Sequence, residues 1–81
     1  MAGYALTWVD VARDQYAVLP PDIQHLIDLR LAELLDDPGG PGCSEDAATG
    51  QWLTSDRLSQ GLLLYSFRPG GPRLVILRLI Y

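Results

Sequence analysis

The chain has 81 residues, 48% of them hydrophobic, and a formal net charge of −4. All six of its basic residues are arginine, and ten acids outnumber them, which argues against a free-standing nucleic-acid binder with a basic face. That length suits one compact core, so a single domain over residues 1–81 is expected, near the size where burial only narrowly exceeds chain entropy.

The start, MAGYALTWVDVARDQY, has no export-type apolar stretch, and Cys43 alone makes no intramolecular disulfide. The longest apolar run near the end, LVILRLIY, falls far short of the ~20 residues of a spanning helix. A cytoplasmic protein without a membrane segment is expected.

Tyr4, Leu6 and Trp8 alternate with Ala5 and Thr7, which predicts a strand. Asp10 offers an N-cap, and Val9, Ala12, Tyr16 and Leu19 follow at helical spacing. Pro20-Pro21 ends that first helix and starts a second. In the second, Ile23, Leu26, Ile27, Leu31, Leu34 and Leu35 form an apolar stripe, while Asp28, Arg30 and Glu33 mark the opposite, wet face. The run from Asp36 through Pro38, Gly39, Gly40 and Pro41 stops it. The short link between the helices predicts an antiparallel hairpin. Residues 36–50 read as a loop, Gln51 to Ser55 as a short strand anchored by Trp52, and 56–60 as a turn. Two strands, 61–68 and 73–81, then flank Pro69-Gly70-Gly71-Pro72. The order predicts an α+β domain: an N-terminal strand and a helical hairpin packed on one face of a small, mainly antiparallel sheet.

A regular hairpin around residues 69–72 pairs Ser66 with Val75, Leu64 with Leu77 and Leu62 with Leu79. One face then carries Leu62, Leu64, Val75, Leu77 and Leu79, and is the one expected beneath the helices, with Leu26 and Leu34 packed on Leu64 and Leu77. The other carries Leu63, Tyr65, Phe67, Leu74, Ile76 and Ile80 around Arg78. Apolar as it is, it is expected to be covered by a second chain. A one-residue bulge would move Arg78 to the opposite side.

Three stretches, "VARDQYAVLPPDIQHLIDLRLAELLDDP" (Val11 to Pro38), "LLLYSF" (Leu62 to Phe67) and "LVILRL" (Leu74 to Leu79), together resemble the RelE/ParE toxin superfamily of type II toxin–antitoxin modules. The resemblance implies a cognate antitoxin as partner, with a homodimer as the alternative. It also implies ribosome-bound mRNA or DNA gyrase as possible targets. For the ribosome-dependent endoribonucleases of this superfamily it implies basic residues on the sheet. Cleavage by a 2′-hydroxyl needs a base, an acid and cations on the developing phosphorane charge.

Here the chain departs from the pattern. GCSEDAATG places Glu45 and Asp46 where basic residues are expected. GLLLY puts Leu62 at the arginine position of a "YRVIY"-like strand, and the sequence to Tyr81 holds no His-Arg tail. Arg78 keeps the position of an arginine in the last strand. It is a candidate for phosphate or for a partner carboxylate, and Tyr65 and Tyr81 are candidate proton donors. Arg78, Tyr65 and Tyr81 are therefore the catalytic candidates, and Leu63, Phe67, Leu74, Ile76, Arg78 and Ile80 the partner-binding ones. His25 stands alone beside the helix stripe, Arg68 and Arg73 read as solvated turn residues, and Cys43 shows no cationic neighbour in the sequence. No metal or cofactor motif is present. The expected function is a toxin-like component neutralised by an antitoxin. The alternatives are a RelE/ParE-fold interaction or dimerisation module without nuclease activity and, last, an active endoribonuclease.

Overall fold

The computed structural model describes residues 4–56 and 61–81. Its elements run β1 (Ala5–Trp8), α1 (Asp10–Ala17), α2 (Pro21–Asp36), β2 (Ser44–Asp46), β3 (Gln51–Ser55), β4 (Leu62–Phe67) and β5 (Arg73–Ile80). The five strands form one sheet in the order β1-β5-β4-β3-β2, with β1 parallel to β5 and every other pair antiparallel. The two helices cover one side of it. This is the α+β architecture expected from the sequence. The turn expected over 56–60 lies, beyond Asp56, outside the described residues.

Asp10 is not the N-cap. Val9 holds that position in extended conformation, and Asp10 is the first helical residue, where its charge favours the helix N-terminus and meets Arg13 at 3.4 Å. Pro21 opens α2 at a position that needs no backbone donor, and Pro38 keeps Asp37 out of helical space. The 36–50 loop contains a strand that its composition hides. The short, fully exposed β2 is acidic and has no apolar alternation, yet it pairs with β3.

The core is made by Ala12, Ile27, Leu31 and Leu34 from the helices and Leu63, Tyr65, Leu74, Ile76 and Leu79 from the sheet. Burying each such aliphatic side chain is worth about 1.5–3 kcal/mol. The expected cluster of Leu26, Leu34, Leu64 and Leu77 does not form, since only Leu34 of the four is fully buried. The helices take the hairpin face opposite to the one expected. β1 shows why: it lays Leu6 beside Leu74 and Trp8 beside Ile76, so the N-terminal strand and the helices enclose the same side. Tyr65 is tolerated there because its hydroxyl donates to the Pro38 carbonyl.

A bulge completes the inversion. Ser66 pairs with Val75 as expected and Tyr65 with Ile76, but Leu64 then pairs with Arg78, leaving Leu77 without a partner in the ladder. From there every side chain of β5 changes sides. Leu79 enters the core opposite Leu63, while Arg78 and Ile80 turn outward opposite Leu64 and Leu62.

Arg30, expected on the wet face of α2, is 3% exposed. Its guanidinium donates to Thr54 Oγ1 at 2.7 and 3.2 Å, to Glu33 Oε1 at 2.8 Å and to the Pro41 carbonyl at 3.1 Å. Thr54 in turn donates to the Gly42 carbonyl at 3.0 Å. A buried cation is stable only with such a complete set of acceptors. This one ties α2 to β3 and to the loop between them.

Candidate functional site

The side of the sheet away from the helices is aliphatic with arginines set into it. Alternation along β3, β4 and β5 directs Leu53, Leu62, Leu64, Val75 and Ile80 to this side. All are half-buried or exposed, as is the unpaired Leu77. Arg78 stands exposed among them, opposite Leu64, and Arg68 and Arg73 flank the turn at one end. None of these three arginines makes an ion pair with a described residue, whereas Arg13 and Arg30 both do. Gly70, at φ 76°, lets the turn close, and the Gly71 amide donates to the Arg68 carbonyl at 2.8 Å. An open cleft of about 390 Å³ lies at this end, lined by both arginines with Ser66, Phe67, Gly71, Pro72 and Val75.

The three catalytic candidates are not brought together. Tyr65 lies beneath the helices, on the opposite side of the sheet from Arg78. Its phenol is pushed up well beyond the ordinary value, first by burial and then by its contact with Cys43. Tyr81 sits at the end of β5 and donates to Asp56 Oδ2 at 2.7 Å. Its ring covers Gly61 so closely that a Cβ there would lie 2.0 Å from it. That glycine is needed for the approach. His25 is exposed on α2, in the other layer.

The partner-binding candidates divide in the same way. Leu63, Leu74 and Ile76 are fully buried within the chain and are unavailable to a partner, which corrects the expectation from a regular hairpin. Phe67 points to the same side and packs between Tyr4 and Trp52, with ring centroids 5.7 and 5.2 Å away. Arg78 and Ile80 are exposed. Cys43 does have a cationic neighbour, Arg30 Nη2 at 3.4 Å, supplied by α2 and invisible in the loop sequence. Among the described residues, no cluster of His, Cys, Asp and Glu has the form of a metal site, and no helix is long and apolar enough to cross a membrane.

The fold recurs in solved structures. The isolated RelE toxin of E. coli superposes with a TM-score of 0.82 at 16% identity, over 95% of this chain and 82% of that one. The RelBE2 toxin–antitoxin complex of Mycobacterium tuberculosis gives 0.80 at 21% identity, covering 98% of each chain. The chain has the RelE/ParE fold. The YoeB/ParE toxin from Agrobacterium tumefaciens is a further match, with a TM-score of 0.77 at 17% identity, over 94% of this chain and 95% of that one. No family model and no curated protein sequence matches the chain.

Within this RelE/ParE-fold chain, sequence reasoning missed two arginine roles. Arg30 carried a visible signal: it lies three residues after Ile27 and three before Glu33, at the border of the stripe. The cleft arginines carried another, two identical charges placed symmetrically about a four-residue turn.

Proposed function

We propose that the chain is the toxin-like component of a type II toxin–antitoxin module, acting in the cytosol and neutralised by a cognate antitoxin that covers the open side of β3, β4 and β5. The observation that carries this is the uncovered aliphatic side of a RelE/ParE-fold sheet, with Arg78 exposed in its middle. Of the solved relatives, RelBE2 of Mycobacterium tuberculosis and RelBE of E. coli are complexes of toxin with antitoxin. Expression of the chain alone should slow growth, and co-expression of the small reading frame beside its gene should restore it. Absence of both effects would remove the proposal.

The second reading is a RelE/ParE-fold interaction module without nuclease activity. It is favoured by the separation of Tyr65, Tyr81 and Arg78. Arg78 alone supplies one cation and no base, while phosphoryl transfer needs both kinds of group at one phosphate. Translating ribosomes mixed with the purified chain should therefore show no codon-positioned cleavage by primer extension. Strong cleavage abolished by Arg78→Ala would establish the third reading, an endoribonuclease.

A further inference from the structure

Charge is sorted along this chain. All ten acids precede Leu62, and residues 61–81 contain three arginines and no acid. The closing hairpin therefore carries +3, while three arginines and ten acids leave −7 on the remainder, giving the net −4. The three hairpin arginines are exposed and make no ion pair with a described residue. Arg68 and Arg73 share the cleft at the turn with the Ser66 side of β4 and with Val75. Two planar guanidinium forks on either arm of one turn suit a bound carboxylate.

We propose that the Arg68–Arg73 cleft anchors a carboxylate of an extended, acidic and aliphatic segment from a different protein. The segment runs on over Val75 and Leu64 and presents a second carboxylate to Arg78. Arg73 and Arg78 are separated by about 15 Å along β5, at the usual rise per residue. The two acids of the segment should then stand four to five residues apart, with aliphatic residues between them. This rests on the toxin–antitoxin reading only for the identity of the protein that supplies the segment.

The same observations disfavour the other occupants. A second copy docked about a two-fold axis would set +3 against +3, since the hairpin has no acid to answer its own arginines. Single-stranded RNA binds where bases stack on exposed rings beside many cations. Here Tyr4, Trp52, Tyr65 and Phe67 cluster together, with Trp52, Tyr65 and Phe67 placed by pairing on the helix side; Phe67 also borders the cleft, but beyond it the open side of β4 and β5 is aliphatic with three cations, which gives successive bases no row of rings.

The probe is a synthetic peptide of about ten residues with two Glu four residues apart and Val and Leu between and around them, so that in extended form both acids and an intervening aliphatic side chain share one face. Its controls are the same peptide with Gln for Glu and a single-stranded RNA of equal charge. Binding is followed by fluorescence anisotropy and amide chemical shifts. The Glu peptide should bind and move the amides of Ser66, Arg68, Arg73 and Val75. The doubly substituted Arg68→Glu, Arg73→Glu chain should weaken it by about tenfold or more. Arg13→Glu, on the helical side, should change it less than about twofold. Equal affinity for the doubly substituted chain overturns the proposal. So does an RNA that binds through these arginines while the peptide does not, and so does a dimer that the double substitution dissolves. If growth rescue succeeds but the peptide fails, the toxin–antitoxin reading stands without this cleft. If the peptide binds but no toxicity appears, the cleft stands without that reading.

Discussion

The two faces of the β4–β5 hairpin contain similar amounts of aliphatic side chain, and the chain treats them in opposite ways. On the helix side, Leu63, Tyr65, Leu74, Ile76 and Leu79 are buried, and every buried polar side chain among the described residues has a hydrogen-bond partner. On the open side, Leu62, Leu64, Val75 and Leu77 stay half-exposed beside arginines that have no ionic partner among the described residues. Hydrophobicity alone does not separate the two. The helix side is chosen by what can be satisfied there: a tyrosine hydroxyl that reaches Pro38, and an arginine that reaches Thr54, Glu33 and Pro41. The open side is left with cations that make no ion pair with a described residue, and such a surface suits recognition better than a core.

The most direct way to break this comparison is to place one charge on each face. Ile76→Asp buries an unpaired carboxylate in the core and should cost more than about 4 kcal/mol, enough to unfold so small a domain. Val75→Asp, one residue earlier and on the other side, should stay within about 1 kcal/mol. Urea denaturation followed by circular dichroism distinguishes them. Equal costs would mean that the two sides are not distinct environments.

Arginines sharpen the contrast at the next level. Arg30→Met leaves the Pro41 carbonyl without this donor and unties α2 from Thr54, and should destabilise by about 1–3 kcal/mol in the same assay. Arg78→Met should change stability by no more than about 0.5 kcal/mol, because Arg78 is exposed and makes no ion pair with a described residue. The second result matters for function: a large loss on Arg78→Met would show a structural role and remove it as a recognition residue.

Much of this was legible in the sequence, and the exceptions share a cause. The strands at Tyr4–Trp8 and Gln51–Ser55, both helices and the final hairpin follow from periodicity and from Pro and Gly punctuation, which are local signals. The face of the hairpin was not legible. Leu62–Leu64 and Leu74–Leu77 are apolar at every position, so alternation gives no direction, and one bulge at Leu77 reverses everything after it. Arg30 reads as solvent-facing because its acceptors, Thr54 and the Pro41 carbonyl, lie 24 and 11 residues away. The separation of Tyr65 from Arg78 follows from the same bulge. The place of Arg78 in the last strand was visible in the sequence, but the side of the sheet on which it stands was not.

The bulge can be tested by removing it. Deletion of Leu77 leaves Ile76 opposite Tyr65, Arg78 opposite Leu64 and Leu79 opposite Leu63 in an unbroken ladder, so every other side chain keeps its face. The deletion should alter stability by about 1 kcal/mol or less. Deletion of Leu64 instead shifts the register of β4 against β5, exposes half of the core and should prevent folding. Heteronuclear NMR spectra of the two deletions decide the matter. A folded chain lacking Leu64 beside an unfolded one lacking Leu77 would mean that the extra residue lies in β4.

The smallest expected effect concerns proton binding on the helix side. Tyr16 donates to Asp28 Oδ1 at 2.7 Å, linking α1 to α2, and its ring lies 5.1 Å from that of Trp8. The hydrogen bond to the Asp28 carboxylate, with burial second, pushes its phenol from 10.0 up to about 12. The folded chain therefore holds this proton more tightly than the unfolded chain does. The stabilisation is fully present below pH 10 and is lost as pH rises towards about 12. The urea midpoint of the native chain should fall across this window, and that of Tyr16→Phe should fall less, starting from a slightly lower value. Parallel curves for the two chains would show that the Tyr16–Asp28 link does not hold the helical hairpin together, and would leave the packing of Ile27, Leu31 and Leu34 against the sheet as its main support.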